Sequence, residues 1–131
     1  MIPDGYRKLG EGALCEIWAN DGTYAILRKA PPGDIQKVKL ILAELSEHGS
    51  ADLNKEQFRD EGHFSAGKAG AGRYTVYAVK SYQLRIYGGF VGEENAFFVC
   101  ENALLKKRDK ADQAVLKRVA RALGELNERL G

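Results

Sequence analysis

Ile35, Val38, Ile41, Leu42 and Leu45 recur at the three-and-four spacing of one helix face and predict an amphipathic helix over residues 34–48. Pro31, Pro32 and Gly33 end whatever precedes it, Asp34 is placed to cap its first amides, and Gly49 stops it. A second stripe, Val115, Val119, Ala122, Leu123, Leu126 and Leu130, predicts a closing helix over 110–130 with Asp109 and Asp112 at its start. Between the two lie runs of strand composition at 74–79, 82–91 and 95–101. The step Lys80-Ser81 lacks the Gly or Asn of a tight hairpin, so 74–91 forms either two strands or one long bent strand. Upstream, residues 15–19 and 23–27 are β-prone and flank Asn20-Asp21-Gly22, which predicts a hairpin. Asn54 and Gln57 resemble a capping pair for one or two helical turns around Phe58, ahead of a glycine-rich surface loop over 62–72. The pattern is that of an α+β protein: a small sheet with an N-terminal hairpin, one or two helices before the sheet and a C-terminal helix packed on it.

Alternation along the run 82–87 sends Tyr82, Leu84 and Ile86 to one face and Gln83, Arg85 and Tyr87 to the other. The closing helix is expected to cover one face and leave the Arg85 face at least partly open. Charge sharpens this picture. Residues 64–110 hold 8 Lys+Arg against 4 Asp+Glu, whereas 1–63 hold 8 against 11 and 111–131 hold 4 against 3, so a whole-chain charge of +2 conceals a basic sheet region. At 131 residues the chain is expected to form a single domain over 1–131, and 44% hydrophobic with 29% charged residues excludes disordered and low-complexity classes. No apolar run reaches the ~18 residues of a membrane span, and the first residues lack the order of a signal peptide; a cytoplasmic protein is expected. Cys15 and Cys100 sit in strand-like runs and read as reduced core thiols.

Most motifs reduce to structure. Gly62 to Lys68 has P-loop glycine and lysine spacing, but Ala69 replaces the hydroxyl residue that would hold magnesium, and a strand rather than a helix follows. A loop carrying Lys68 and Arg73 is the better reading. His48 suits the carbonyl end of the first helix, and His63 lacks neighbours at metal-ligand spacing. No metal site, cofactor site or Ser-His-Asp arrangement is predicted. The basic residues are harder to set aside: Lys80, Arg85 and the run Lys106-Lys107-Arg108 converge on one sheet with Tyr77, Tyr82 and Tyr87 interleaved. Cations for phosphates and rings for unpaired bases suit single-stranded RNA.

The order Val76-Tyr77-Ala78-Val79-Lys80, Gln83-Leu84-Arg85-Ile86-Tyr87-Gly88, Phe97-Phe98-Val99-Cys100 and Lys106-Lys107-Arg108-Asp109, followed by a closing helix, resembles the RelE/HigB (RelE/ParE-like) superfamily of toxin–antitoxin toxins over about half the chain. That resemblance implies helices beside a small curved antiparallel sheet, metal-independent cleavage of mRNA on the ribosome, and inhibition by a small antitoxin protein encoded nearby. By position, Arg85 resembles the arginine that contacts the scissile phosphate, Lys80 the basic residue of the preceding strand, and Lys106, Lys107 and Arg108 the basic segment after the last strand. The tyrosine or histidine that several family members carry near the C-terminus has no counterpart in residues 110–113, leaving Tyr87 as its substitute. In this reading the ribose 2′-hydroxyl attacks the adjacent phosphate, Arg85 stabilises the charge that develops, and either Lys80 or Lys106, its ammonium disfavoured by Lys107 and Arg108, serves as base. Lys68, Arg73, Tyr77 and Tyr82 complete the expected RNA contacts. The alternative is a non-catalytic module, or a gyrase-directed relative, that docks an acidic partner on the basic sheet face.

Overall fold

The computed structural model describes residues 1–67, 72–105 and 111–131. Six strands, β1 (Tyr6–Glu11), β2 (Glu16–Asn20), β3 (Phe58–Ser65), β4 (Arg73–Lys80), β5 (Leu84–Val91) and β6 (Phe97–Leu105), form one sheet in the spatial order β1-β2-β6-β5-β4-β3. Helices α1 (Asp21–Lys29) and α2 (Pro32–His48) connect β2 to β3, and α3 (Gln113–Leu130) follows β6. The α+β class, the N-terminal hairpin and the closing helix packed on the sheet are as the sequence pattern predicts. The sheet is mixed rather than purely antiparallel: β2 and β6 run in parallel from Glu16 opposite Phe97 to Ala19 opposite Cys100. A long crossover through two helices and a three-strand meander returns the chain beside β2 in the same direction, which no hairpin connection can do.

Three local expectations are corrected. The N-terminal hairpin is β1–β2, and residues 23–27 are helical. Asn20 is the N-cap of α1, its Oδ1 accepting the Thr23 N–H at 2.8 Å, with Asp21 in the first turn and Arg28 and Lys29 in the last. Asparagine and aspartate suit a turn and a helix start for the same reason, and burial of Thr23 with packing of Leu27 one turn later selects the helix. Asp34 does not cap α2: Pro31 occupies the cap position without a side-chain bond, Pro32 supplies the first helical residue, and the Asp34 carboxylate is buried elsewhere. Asn54 and Gln57 do exchange reciprocal bonds of 3.0 Å, but they close a turn that delivers Phe58 into β3, so residues 62–65 belong to a strand and not to a loop. Gly62 there adopts φ +125° beside a bulge in the β3–β4 register, a conformation that L side chains rarely take.

Both faces of the sheet are covered. Helices α1 and α2 pack over Ile17, Val79, Leu84, Ile86 and Phe98, while α3 packs over Val76, Ala78, Tyr87, Val91 and Val99. Leu116, Leu123 and Leu126 of α3 are at most 2% exposed, each contributing roughly 1.5–3 kcal/mol by burial. Gly89 admits this close approach, since a Cβ there would lie 2.6 Å from Leu123 Cδ1. The Arg85 and Tyr87 face is therefore the one beneath α3, contrary to the expectation that it stays open, because β5 is apolar on both sides and takes a helix on each. Cys15 and Cys100 are free and buried, and burial pushes both thiols above their ordinary range. No helix among the described residues is long and apolar enough to cross a membrane.

Candidate functional site

The turn between β4 and β5 is built from the start of α2. The Asp34 carboxylate, 3% exposed, accepts the Ser81 hydroxyl and the Gln83 N–H, the latter at 2.9 Å. Burial works against its charge, but the bonds from Ser81 and the turn amides outweigh it and hold the carboxyl below its ordinary value. This fixed turn in turn holds Arg85. Its Nη1 donates to the Ser81 carbonyl at 2.6 Å and to the Leu84 carbonyl at 3.1 Å, and its Nε is buried without a partner among the described residues.

Lys80 lies directly opposite Arg85 in the β4–β5 ladder, on the same face. Like charges facing each other across strands destabilise a sheet, so this pair is a structural cost unless an anion joins it. Arg59 of β3 stands opposite Ala78, one step along the same face, which sets three cations across three adjacent strands at one end of the sheet. Tyr82, 65% exposed at the turn, has the Lys37 ammonium 4.6 Å from its ring centre. Cations and an open ring thus stand together around a turn pinned by Asp34.

The remaining expected site residues separate from this group. Tyr87 shares the Arg85 face as alternation predicts, but it is 3% exposed within the core beneath α3. Tyr77 lies on the opposite face, its ring stacked on Phe58 at 4.7 Å, and burial followed by the charge of Asp60 raises its hydroxyl above the ordinary value. Arg73 begins β4 while Lys80 ends it, so the two are roughly 23 Å apart at ~3.3 Å per residue, and Arg73 donates instead to the His63 carbonyl at 2.7 Å. Lys68, Lys106, Lys107 and Arg108 lie outside the described residues; the described part of β6 ends at Leu105, opposite Leu84.

Arg59 and Lys37 escaped the sequence reading. Arg59 sits in a polar edge strand that the sequence pattern read as helical turns running into a loop, and Lys37 on a helix whose outer face reads as solvated surface. Glu101 is a further omission: 9% exposed at the β5–β6 bulge, it accepts Tyr6 Oη at 2.7 Å and Asn20 Nδ2 at 2.9 Å. Burial raises its carboxyl above the ordinary range against those two bonds. Both of its oxygens are engaged, and the cluster ties β1, the α1 cap and β6 together rather than presenting a site. Comparison with known proteins identifies no relative: no protein-family model, curated protein or solved structure matches this chain.

Proposed function

We propose that the β4–β5 turn is an RNA-backbone site and that the chain is a toxin-like endoribonuclease that cleaves mRNA, on the ribosome in the reading the family resemblance implies, with a small antitoxin protein as its partner. The observation that carries this is the opposed pair Lys80 and Arg85, two cations facing each other with the arginine fixed by two turn carbonyls. A guanidinium so held is preorganised, which is what a donor to a developing phosphorane requires. In the reaction, the 2′-oxygen bonds to phosphorus as its proton passes to a base, Lys80 or Lys106. The bond from phosphorus to the 5′-oxygen breaks as that oxygen takes a proton, leaving a 2′,3′-cyclic phosphate and a 5′-hydroxyl. Tyr82 offers a ring on which an unpaired base can stack. Producing the protein alone in a bacterial host tests the reading: growth arrest with cleaved transcripts is expected, and normal growth with intact transcripts counts against it.

A second reading, a non-catalytic module that holds an acidic partner on the same cations, is favoured by the burial of Tyr87, the residue expected to substitute for the family's C-terminal tyrosine or histidine. Activity separates the two. RNA bound but never cleaved, at any ribosome concentration, selects the module.

A further inference from the structure

The ladder between β4 and β5 stops short of both strands. It runs from Lys80 opposite Arg85 to Tyr77 opposite Gly88, although β4 begins at Arg73 and β5 continues to Val91. The next pairing on this face would set Thr75 opposite Phe90, and it is not made. Instead Asn127 of α3 reaches in, its Oδ1 accepting the Gly92 N–H at 2.9 Å and its Nδ2 donating to Tyr74 Oη at 3.0 Å, one bond to the β5 side and one to the β4 side. Both strands keep their outer partners, β3 as far as Arg73 and β6 as far as Val91, so the gap lies inside the sheet and not at its edge. It forms a cleft of about 280 Å3 that no residue of α1 or α2 lines.

The groups around the cleft suit a flat, uncharged ligand. Tyr77 and Phe90 both line it, their rings 5.8 Å apart and nearly perpendicular at 80°, so a planar molecule lying on one ring meets the other edge-on. Asn95 lines it from the turn before β6, where Glu94 and Asn95 both hold φ +56°, a left-handed conformation uncommon outside glycine. Backbone of this kind is kept where the surroundings or the function demand it. Neither the Asn95 amide nor the Tyr77 hydroxyl has a hydrogen-bond partner among the described residues, whereas the Thr75 hydroxyl is taken by His63. No carboxylate lines the cleft, and its only charged residue, Arg73, donates to the His63 carbonyl. A side-chain amide offers donor and acceptor side by side, which matches the edge of a nucleobase, and the rings offer a surface on which an unpaired base stacks.

We infer that this cleft is a binding site for a single unpaired nucleobase, which stacks in the corner between Tyr77 and Phe90 and sets its edge on the Asn95 amide and the Tyr77 hydroxyl. The base comes either from a free nucleoside or from a single-stranded RNA. At about 280 Å3 the cleft falls just below the range of pockets for drug-sized ligands, so it admits a base and not an extended nucleotide cofactor. Tyr77 faces away from Lys80 and Arg85 across the sheet, and the cleft engages no phosphate, so the inference does not rest on the proposed cleavage reaction.

Calorimetric titration of the purified full chain with adenosine, guanosine, cytidine and uridine, with single-stranded tetranucleotides of the same bases, and with ribose 5-phosphate tests this. At least one nucleoside is expected to bind with Kd of about 100 μM, and ribose 5-phosphate is expected not to bind. Nucleoside affinity should be indifferent to salt, because no phosphate is neutralised. Two variants remove the polar contacts without disturbing the fold. Asn95→Gly deletes the amide and suits φ +56°, and Tyr77→Phe deletes a hydroxyl that has no partner to strand, so thermal melts should hold while binding weakens about tenfold in each. Tetranucleotide binding that both variants weaken, without binding of a free nucleoside, supports the cleft and assigns its base to a strand. Tetranucleotide binding lowered by Lys80→Ala but by neither of these variants overturns the cleft and leaves the basic turn standing. Nucleoside binding that needs Asn95 in a protein that cleaves no transcript does the reverse. Ribose 5-phosphate bound as tightly as the nucleosides, nucleoside binding indifferent to both variants, or no binding of any probe each overturns the inference.

Discussion

Asp34→Ala is expected to be among the most damaging polar substitutions in the protein. The carboxylate is 3% exposed and takes both the Ser81 hydroxyl and the Gln83 N–H. Truncation removes two bonds to a charged acceptor, each worth about 1.5–3 kcal/mol, and strands their donors in a buried turn. Allowing for partial rescue by water, a loss of about 3–4 kcal/mol is expected. With unfolding entropy near 2.1 cal/mol/K per residue, that lowers Tm by roughly 11–15 °C. Asp34→Asn keeps an acceptor but not the charge, and about half the loss is expected. The pH dependence follows from the lowered carboxyl. A carboxyl that titrates lower in the fold than in the unfolded chain stabilises above the unfolded value, and this contribution disappears as pH falls through the folded one. Urea melts of wild type and Asp34→Asn should therefore converge on acidification below the ordinary aspartate range and separate above it. A loss under about 1 kcal/mol for Asp34→Ala, or a gap between wild type and Asp34→Asn that is the same at every pH, refutes the reasoning.

Tyr6→Phe leaves Glu101 Oε2 without its hydroxyl donor and should cost about 1–3 kcal/mol in urea melts. Because the Glu101 carboxyl is raised in the fold, its favourable contribution belongs to low pH and is lost as pH rises through the folded value, so the Tyr6→Phe penalty should be larger near pH 8 than near pH 5. Gly88→Ala would set a Cβ 2.2 Å from the Val99 carbonyl oxygen and should destabilise by about 2–3 kcal/mol, whereas Gly10→Ala meets nothing within 4 Å and should be neutral or slightly stabilising in the same melts. If Arg59, Lys80 and Arg85 each displace a counterion from single-stranded RNA, the log–log salt slope of binding should be near −2, at about 0.7 per phosphate, and a slope near zero removes the nucleic-acid reading.

The sequence pattern carried most of the regular structure where apolar spacing was dense: α2, α3 and the separate runs that became β4, β5 and β6. It failed where polar residues serve two geometries. Asn20 to Gly22 fits a hairpin turn and a helix start equally, and only the packing of Thr23 and Leu27 against the sheet decides. Strand β3 stayed hidden because an edge strand is kept polar and bulged, with Arg59, Asp60, Glu61 and Gly62 in its course. At the site, alternation correctly set Arg85 and Tyr87 on one face and Leu84 and Ile86 on the other. Which face each helix covers is a long-range choice, and no local pattern records it. The role of Asp34 was equally illegible, since its partners lie 47 and 49 residues away.

The most direct test of the basic-turn account is single-turnover cleavage of ribosome-bound mRNA at saturating enzyme by wild type, Arg85→Lys, Lys80→Ala and Arg73→Ala, with melts to confirm folding. Arg85→Lys keeps the charge but not the anchored fork and should lower the rate by about 10²-fold, with Lys80→Ala also slow, while Arg73→Ala, roughly 23 Å along β4, should stay within about threefold of wild type. An Arg85→Lys protein that cleaves at the wild-type rate, or an Arg73→Ala protein that does not cleave, places the active centre elsewhere on the sheet.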